Sequence, residues 1–330
     1  MLVDGCIVVC DNCFTYLGEK ENESSGEKRY CQVCQEVMPS GLQGIYKGLG
    51  DEFDSYLANH DRVIFAYSGG LDSTVVLTRL VQECRRRDIQ LDTFTIDTGL
   101  KGSVALSNIS SVVKWLGVDH QMIDIRTEAQ SHPEVIELLG TALPINSVYF
   151  RCYELGVLPC GKLCNSMIDV VYQRVLSQNG YTELLTGGDT PKKGSDGKYS
   201  IHWQKPSGIR IVRTGAAFGI RKSLVAAAVR SDQIPWKHPL CGGYDTDCLV
   251  PGVIFADLFE GRPQTSYRRI LDKAPIILDY LCERIRFRVF SRKEGQGMLN
   301  RADIASLSTY VEFSHLYRHW LASEKGERER

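Results

Sequence analysis

Apolar positions alternate between strand-like runs and helical spacing from residue 62 onward. Four apolar runs have the length of single strands, at residues 63–67, 91–96, 118–125 and 182–186. The segments 73–86 and 104–116, which separate the first three, repeat apolar residues every three or four positions. This alternation predicts an α/β fold with a parallel sheet and helices on both faces. Ligand sites are then expected beyond the carboxyl ends of the strands.

The same pattern divides the chain into four predicted regions. We expect a zinc ribbon over 1–40, a linker helix over 41–61, the α/β domain over 62–255 and a helical C-terminal region over 256–330. Within the last region, residues 284–293 interleave basic and aromatic side chains. That stretch is a nucleic-acid candidate, and the alternative is a solvated helix or strand face.

Two Cys-x-x-Cys pairs near the start of the chain predict the zinc ribbon. The pairs consist of Cys10, Cys13, Cys31 and Cys34. Two such knuckles can complete a tetrahedral Cys₄ site, and four thiolates leave no open position for catalytic water. The polar insert 19–28 is expected to be a loop between the knuckles, and unrelated thiols are the alternative. Four further cysteines are isolated in sequence and are interpreted as buried or incidental thiols, namely Cys6, Cys84, Cys152 and Cys282.

Net charge and the distribution of apolar residues indicate which classes of partner and compartment to expect. The 330 residues carry a net charge of −1 with a pI near 6.7, so no global positive field indicates nucleic-acid binding. The first residues show no secretion signal, and no apolar run approaches the roughly 20 residues that a membrane span needs. We therefore expect a cytoplasmic protein without a membrane partner. In that compartment, clustered cysteines favour metal over disulfides.

The strongest chemical signal is the hexapeptide of residues 68–73, Ser-Gly-Gly-Leu-Asp-Ser, between a predicted strand and a predicted helix. Glycines allow phosphate oxygens to approach the backbone, and the start of a helix presents bare N–H groups. Ser68 and Ser73 add hydroxyl donors. Asp72 would be repelled by phosphate unless a cation intervened, so we interpret it as a Mg²⁺ ligand. The alternative is an ordinary glycine turn capped by Ser73.

This hexapeptide resembles the SGGxDS pyrophosphate loop of the N-type ATP pyrophosphatase (PP-loop) superfamily. The resemblance implies that ATP is cleaved between its α and β phosphates and that a carbonyl oxygen is adenylated. It also implies that Ser68, Gly69, Gly70 and Ser73 cradle the pyrophosphate, while Asp72 binds Mg²⁺. The predicted domain 62–255 would then be a PP-loop ATP pyrophosphatase domain.

Polar residues at two other predicted strand ends complete the nucleotide site. Asp97 follows the second strand, where the resemblance implies an adenosine pocket. Gly187 and Asp189 follow the strand 182–186 and suit a pyrophosphate leaving group and its Mg²⁺. Lys192 or Arg213 is assigned to offset the negative charge that develops on the leaving pyrophosphate. The alternatives are a polar strand end at Asp97 and a surface loop after Thr186.

A second group of cysteines suggests sulfur chemistry. Cys160 and Cys164 open a predicted helix, and Cys241 and Cys248 lie in a later segment rich in proline and glycine. Cys160, Cys164 and Cys248 can hold three irons of a [4Fe–4S] cluster and leave the fourth iron free to carry sulfide. Cys241 is the alternative third ligand. A persulfide exchanged between two cysteines is the alternative chemistry, and buried thiols without a chemical role are a further alternative.

Together, the cysteine pairs, the glycine loop and the Pro-Cys helix start resemble the tRNA 2-thiouridine synthetases of the thiolation branch over residues 10–250. The family loop has lysine where Leu71 stands, and its Cys-x-x-Cys becomes Cys160-x-x-x-Cys164. The family's GHxxDD-like segment becomes Thr186-Gly-Gly-Asp189, and no second zinc ribbon closes the chain. These departures leave tRNA, a free nucleobase and a small carbonyl metabolite open as acceptor.

The predicted function is an ATP-dependent sulfurtransferase that adenylates a carbonyl oxygen and replaces it with sulfur. Asp72, Cys160, Cys164 and Cys248 form its predicted catalytic set, with ATP, Mg²⁺, Zn²⁺ and a [4Fe–4S] cluster as cofactors. The expected partners are sulfide or a sulfur-carrier protein, the acceptor, and a second copy in a homodimer. One alternative is an ammonia-using amidotransferase similar to the N-acetyl sugar amidotransferases. The other is a non-enzymatic zinc-ribbon adaptor.

Overall fold

The computed structural model describes residues 6–9, 16–20, 34–35, 40–98, 101, 103–125, 165–194, 196–220 and 222–237. The chain forms two compact units, one of residues 1–43 with 257–330 and one of residues 44–256. Within the described ranges, no helix is both long and apolar enough to cross a membrane. The predicted C-terminal helical region and the basic stretch 284–293 lie outside the described residues.

The described part of the first unit is mainly a β-hairpin. Strand β1 (Cys6–Val9) pairs antiparallel with β2 (Tyr16–Lys20), with an irregularity between Val8 and Val9. The connection, residues 10–15, contains Cys10 and Cys13 and lies outside the described residues. Because β2 extends to Lys20, the first two residues of the insert that we expected to be a loop belong to a strand.

The second unit is built on a six-stranded sheet in the order β5-β4-β3-β6-β10-β9. Its strands are β3 (Arg62–Ala66), β4 (Gln90–Asp97), β5 (His120–Asp124), β6 (Glu183–Thr186), β9 (His202–Gln204) and β10 (Arg210–Arg213). All neighbours pair parallel except β9, which runs antiparallel to β10. The predicted parallel sheet is therefore confirmed as a mostly parallel one.

Helices accompany the strands along the described part of the chain. They are α1 (Ser40–Ala58), α2 (Leu71–Arg87), α3 (Ser103–Leu116), α4 (Asn165–Asn179), α5 (Thr214–Ala217) and α6 (Lys222–Ser231). Helix α2 begins directly after the glycine turn that follows β3, and three arginines in its last turn complement the negative end of its dipole. The linker helix predicted over 41–61 corresponds to α1.

Alternating side chains along the strands build a core on each face of the sheet. Val63 and Phe65 of β3 pack with residues from α1, α2, α3, α5 and α6, whereas Ile64 packs on the opposite face with α4. Leu184 and Leu185 of β6 divide between the two faces in the same way. The period-2 alternation of buried residues explains why this sheet needs helices on both sides.

The segment between β6 and β10 contains short strands that the sequence did not predict. Residues 192–200, for which a surface loop was the alternative to a pyrophosphate site, include a short hairpin in which β7 (Lys192–Lys193) pairs antiparallel with β8 (Tyr199–Ser200). The chain then enters the antiparallel edge strand β9. Strands of two or three residues carry no periodic apolar signal of their own, because backbone pairing with their neighbours defines them.

Order in the sheet brings two glycine turns together. The chain proceeds from β3 to β4 and β5 on one side, and β6 and β10 lie on the other side of β3. The order of the strands therefore reverses between β3 and β6, which is where open α/β sheets bind their ligands. Both turns lie at the carboxyl ends of these two strands.

Candidate functional site

The turn between β3 and α2 has a backbone that only glycine fits. Gly69 has a φ of +87°, in the left-handed region, and a Cβ there would lie 2.6 Å from Ile109 Cγ1 and 3.3 Å from the Ala105 carbonyl oxygen. Gly70 follows as the N-cap of α2 in an extended conformation. The sequence thus places glycine where both the dihedral angle and the neighbouring helix α3 require it.

Three successive backbone carbonyl groups of this turn each accept a hydrogen bond. Lys101 Nζ donates to the Ser68 carbonyl at 2.9 Å, and Trp236 Nε1 donates to the Gly69 carbonyl at 3.0 Å. The Gly70 carbonyl accepts from the Thr74 amide at 3.0 Å, the first bond within α2. Because N–H and C=O point in opposite directions across a trans peptide, holding the carbonyls orients the following amides towards the opposite side. That arrangement is typical of an anion-binding nest at a helix start.

The hydroxyl groups of the turn form a closed ring of hydrogen bonds. The Gly70 amide donates to Ser68 Oγ at 3.2 Å, Ser68 Oγ and Ser73 Oγ are 2.8 Å apart, and Ser73 Oγ donates to the Gly70 carbonyl at 3.0 Å. Since the Ser73 hydrogen is directed at that carbonyl, Ser68 is the donor between the two serines. A phosphate that binds here exchanges these internal bonds for bonds to its own oxygens.

The second glycine turn packs directly against the first. A Cβ on Gly187 would lie 3.0 Å from both Cα and Cβ of Ser73, and one on Gly188 would lie 2.9 Å from Arg213 Nε. Gly215 of α5 is equally confined, since its Cβ would lie 2.5 Å from the Gly187 carbonyl oxygen. Small residues therefore allow β6, α2 and α5 to approach one another at the same place.

Polar groups are buried around this second turn. Asp189 is 3% exposed, and Thr190 is fully buried and accepts a hydrogen bond from Arg213 Nη2 at 2.9 Å. The Oγ1 atom of Thr214, at the start of α5, is buried and has no hydrogen-bond partner within the described part of the chain. A buried hydroxyl without a partner costs free energy, which is recovered when a bound ligand supplies the missing bond.

Two carboxylates end the neighbouring strands on the other side of β3. Asp97 and Asp124 are register partners at the carboxyl ends of β4 and β5, and both are partly exposed. Asp97 therefore lies at the same edge of the sheet as the first turn, as the sequence predicted. Residues 99 and 100 lie outside the described residues.

Buried side chains and backbone groups next to the first turn form a hydrogen-bonded cluster. Thr74 Oγ1 donates to the Gly70 carbonyl at 2.9 Å, so the Tyr67 hydroxyl is the donor to Thr74 Oγ1 at 2.8 Å. Thr95 Oγ1 donates to the Tyr67 carbonyl. The ring of His120 meets Tyr67 edge-on at 6.1 Å, and burial lowers the pKa of His120 to about 4. His120 is consequently neutral at physiological pH.

The tautomer of His120 follows from its neighbour. Thr93 Oγ1 donates its single hydrogen to the Asp119 carbonyl at 2.6 Å, so His120 Nδ1, at 2.8 Å, must be the donor to Thr93 Oγ1. The other ring nitrogen, Nε2, is buried and has no hydrogen-bond partner in the described ranges. Protonation would place a charge at Nε2 in an apolar setting, which is the physical reason for the low pKa.

The structure brings together most of the predicted nucleotide site. Ser68, Gly69, Gly70, Asp72, Ser73, Gly187 and Asp189 lie in two adjoining turns, and Asp97 lies at the same edge of the sheet. The predicted cluster ligands Cys160, Cys164 and Cys248, and their alternative Cys241, lie outside the described residues, as do Cys10, Cys13 and Cys31. Cys34 is buried, and the described residues contain no group of three metal-ligating side chains. Cys84 is buried as predicted, and burial raises the pKa of its thiol to about 12.

Three residues of this site were missed from the sequence. Lys101 and Trp236 hold the carbonyls of the first turn, and Thr214 adds a buried hydroxyl beside the second. Lys101 lies 33 residues from its partner and Trp236 lies 167 residues away. No local pattern marks them, because their roles depend on contacts that the fold creates. Trp236 is fixed by a reciprocal pair of bonds between Asn108 and the backbone of Lys237, at 2.7 and 2.8 Å.

Comparison with known proteins bears on the domain that carries these turns. Residues 56–153 match the asparagine synthase family model. A segment of 137 residues is 27% identical to the argininosuccinate synthase of Dictyoglomus turgidum, covering 41% of this chain and 30% of that protein. The resemblance to the PP-loop ATP pyrophosphatase superfamily is confirmed. We refer to the turn 68–73 between β3 and α2, whose residues carry this resemblance, as the PP-loop.

Further relatives and solved structures resemble the chain over greater lengths. An uncharacterized protein of Methanocaldococcus jannaschii, MJ1599, is 24% identical over 252 residues, covering 76% of this chain and 74% of that protein. The U34-tRNA thiolase NcsA from Methanococcus maripaludis, solved with its [4Fe-4S] cluster, is 15% identical with a TM-score of 0.42, covering 78% of this chain and 82% of that one. The phosphoadenylyl-sulfate reductase from Candida auris is 12% identical with a TM-score of 0.36, covering 64% and 91%.

Proposed function

We propose that this protein is an ATP-dependent sulfurtransferase that adenylates a carbonyl oxygen and then replaces that oxygen with sulfur. The observation that carries the ATP half is the PP-loop, a glycine turn at the start of α2 in which Lys101 and Trp236 hold the carbonyls of Ser68 and Gly69. An array of N–H groups at the positive end of a helix of 17 residues suits the pyrophosphate of ATP.

Magnesium fits the carboxylates of the two turns. Asp72 lies in the first turn of α2, and Asp189 is buried in the turn that packs on Ser73. A carboxylate beside a polyphosphate is repelled unless a divalent cation lies between them, and Mg²⁺ prefers such oxygen ligands together with phosphate oxygens. Bound Mg²⁺ would offset the charge that develops on the departing pyrophosphate.

The proposed reaction balances without an oxidant or a reductant. The carbonyl oxygen of the acceptor attacks the α-phosphorus of ATP, the bond from that phosphorus to the bridging oxygen breaks, and pyrophosphate leaves. Hydrosulfide then forms a bond to the adenylated carbon, the carbon–oxygen bond breaks, and AMP leaves with the former carbonyl oxygen. In this scheme the PP-loop binds the pyrophosphate, while Lys192 or Arg213 stabilises the departing charge.

The sulfur half rests on the cysteine pattern of the sequence. Cys160, Cys164 and Cys248 are proposed to hold a [4Fe–4S] cluster, which would supply an iron that carries the sulfide. The four cysteines Cys10, Cys13, Cys31 and Cys34 are proposed to hold a structural zinc ion. In support of the ribbon, the hairpin of β1 and β2 has Cys10 and Cys13 in its connection. The proposed acceptor is a nucleobase or another carbonyl compound.

An ammonia-using amidotransferase is the second candidate, because the matching family model is that of asparagine synthase, whose product carries an amide nitrogen. The two functions share adenylation and differ in the nucleophile. Protein purified anaerobically and reconstituted with iron and sulfide should contain about four irons and four sulfides per chain if the sulfurtransferase proposal holds. A preparation without iron that still releases pyrophosphate with ammonia would support the amidotransferase instead.

Release of AMP and pyrophosphate is the direct test of the ATP half. We expect Asp72→Asn and Asp189→Asn each to reduce pyrophosphate release about 100-fold or more, because each removes a proposed Mg²⁺ ligand. Asp51→Asn, in the exposed part of α1, is the matched control and should retain the parental rate. Parental pyrophosphate release by both Asp72→Asn and Asp189→Asn would contradict the assignment of the site.

A further inference from the structure

Helix α3 presents one of its faces to the PP-loop. Ala105 and Ile109 confine Gly69, whose Cβ would lie 3.3 Å from the Ala105 carbonyl oxygen and 2.6 Å from Ile109 Cγ1. Asn108 follows Ala105 by three positions and therefore lies on the same side of the helix. It is only 2% exposed, although asparagine is mostly a surface residue. A buried amide of this kind requires hydrogen-bond partners within the protein.

The partners of Asn108 are the backbone groups of Lys237. Asn108 Nδ2 donates to the Lys237 carbonyl at 2.7 Å, and the Lys237 amide donates to Asn108 Oδ1 at 2.8 Å. The side-chain amide thus pairs with the main chain reciprocally, as two residues exchange both bonds in an antiparallel sheet. Two bonds to one residue fix both the position and the direction of its backbone.

Lys237 is the last residue of a short strap, residues 233–237, whose other end is also fixed. Gln233 follows α6 with a φ of +53°, the left-handed conformation that commonly ends a helix, and the Ile234 amide donates to a carbonyl of α6 at 3.1 Å. The Ile234 side chain is 5% exposed and packs in the core with residues of α2 and α3. Trp236 therefore lies between two anchored residues.

The indole of Trp236 holds a peptide group of the proposed anion site. Its Nε1 donates to the Gly69 carbonyl at 3.0 Å. That carbonyl and the Gly70 amide belong to one planar peptide group, so a bond that holds the carbonyl also fixes the direction of the amide. The Gly70 amide donates to Ser68 Oγ at 3.2 Å, a long bond that a phosphate oxygen can replace. Asn108 is thus connected through the strap to a donor of the site.

We propose that Asn108 is a positioning residue for the PP-loop. Through the strap it holds the Gly69–Gly70 peptide group in the orientation that binds the pyrophosphate of ATP. This inference rests on the proposed function and adds to its ATP site a residue of α3 that acts through Trp236. Because the coupling between two linked sites is reciprocal, bound pyrophosphate should in turn tighten the strap around the indole.

Binding of magnesium pyrophosphate to the full chain, measured by titration calorimetry, tests the proposal in a double-variant cycle. Asn108→Leu keeps a similar side-chain volume and removes both bonds to the strap. It should weaken the binding of pyrophosphate about fivefold, as should Trp236→Phe. Since Asn108 is proposed to act through Trp236, Asn108→Leu should cost less than twofold more in a chain that already carries Trp236→Phe. Asn108→Ala should give the same pattern.

The fluorescence of Trp236 gives a second readout that needs no ligand. It is the difference between spectra recorded with tryptophan and with phenylalanine at position 236, in the parent and in the Asn108→Leu background. The emission of Trp236 should move to longer wavelength in Asn108→Leu, because the released indole becomes hydrated. In the parent, magnesium pyrophosphate should change the same emission. A residue that only contributed to the stability of the fold would leave this emission unchanged.

Two control variants separate this role from general destabilisation. Asn59→Ala removes an exposed asparagine whose Nδ2 donates to the Ser55 carbonyl at 2.7 Å. Val175→Ala opens a cavity in the core on the opposite face of the sheet and lowers the stability of the fold. Both variants should bind pyrophosphate within twofold of the parent.

Two results would overturn the inference and leave the proposed ATP site intact. One is a loss of about 25-fold in the double variant, which is the product expected of independent residues. The other is an unchanged Trp236 emission in Asn108→Leu. Failure of the parent to bind magnesium pyrophosphate would instead overturn the proposed ATP site together with this inference.

Discussion

The two glycine turns at the centre of the sheet carry the same dipeptide for different physical reasons. Gly69 in the first turn has a left-handed backbone and no room for a Cβ. Gly187 in the second turn has an ordinary φ, and the atoms nearest to its Cβ position are the backbone and Cβ of Ser73. The first turn uses glycine to adopt a left-handed backbone beside α3, and the second uses it to let two elements touch.

The segments after the two turns also differ. The first turn leads into the 17-residue helix α2, whose dipole suits an anion. The second leads into buried Asp189 and Thr190 and then into a short hairpin. We infer that the first turn binds phosphate through its backbone, whereas the second contributes side chains. Substitutions in each turn and in the residues that support the first can separate these roles.

Gly69→Ala should have the largest effect. The substitution combines a left-handed dihedral with a Cβ only 2.6 Å from Ile109, so we expect a loss of about 3 kcal/mol in the free energy of unfolding and about a 100-fold loss of pyrophosphate release. Urea denaturation and a pyrophosphate assay measure the two effects. Gly48→Ala in α1, where nothing lies within 4 Å, is the control and should stabilise the fold slightly.

His120→Gln tests the hydrogen-bonded cluster next to the first turn. The folded-state pKa of about 4 lies below the unfolded value of about 6.5, so the unfolded chain binds more protons between these values. The contribution of His120 is therefore present above pH 6.5 and is lost as the pH falls towards 4. It amounts to about 2 kcal/mol after allowance for solvent screening.

The measurement is the free energy of unfolding at several pH values between 7 and 4. The parent protein should lose more stability over this range than His120→Gln does. Parallel pH profiles for the two proteins would show that His120 is not the titrating group.

Gly187→Ala should have a smaller effect than Gly69→Ala. Its Cβ would lie 3.0 Å from Ser73, which requires a small shift but no unusual dihedral angle. We expect a loss of about 1 to 2 kcal/mol in stability and, because Ser73 belongs to the PP-loop, about a tenfold loss of pyrophosphate release. A loss greater than that of Gly69→Ala would reverse the distinction between the two turns.

Trp236→Phe should have the smallest effect. The variant keeps an aromatic ring and removes the 3.0 Å bond from Nε1 to the Gly69 carbonyl, which is worth about 1 kcal/mol. The KM for ATP should therefore rise about fivefold, and the free energy of unfolding should fall by about 1 kcal/mol. Trp115→Phe is the matched control, because Trp115 is 45% exposed on α3. An unchanged KM in Trp236→Phe would show that the indole does not position the turn.

The sequence predicted the fold well wherever the local pattern was long. The alternation of strands and helices through residue 125, and the strand at 182–186, matches β3 to β6, because buried two-sided strands and amphipathic helices leave distinct periodicities. The short strands β7, β8 and β9 were not predicted. Three residues or fewer cannot show a period, and the antiparallel edge arises from pairing with β10.

The sequence predicted those parts of the candidate site that are contiguous in the chain or that follow a predicted strand. Gly69, Gly70 and the flanking serines form a contiguous motif that dictates its own turn, so their proximity required no tertiary information. Gly187 and Asp189 were chosen from their position at a strand end, and parallel pairing of β6 with β3 brings that end to the PP-loop. The zinc and cluster assignments remain predictions from cysteine spacing.

By itself, the sequence determined the alternating elements, the glycine turn before α2 and the candidate chemistry of its cysteines, because each depends on residues close together in the chain. Only the tertiary structure decided which carbonyls of the turn are held, why Gly187 is confined, and that Arg213 contacts Thr190 beside the second turn. Those properties come from contacts between distant segments, such as Trp236 with Gly69, that no local pattern encodes.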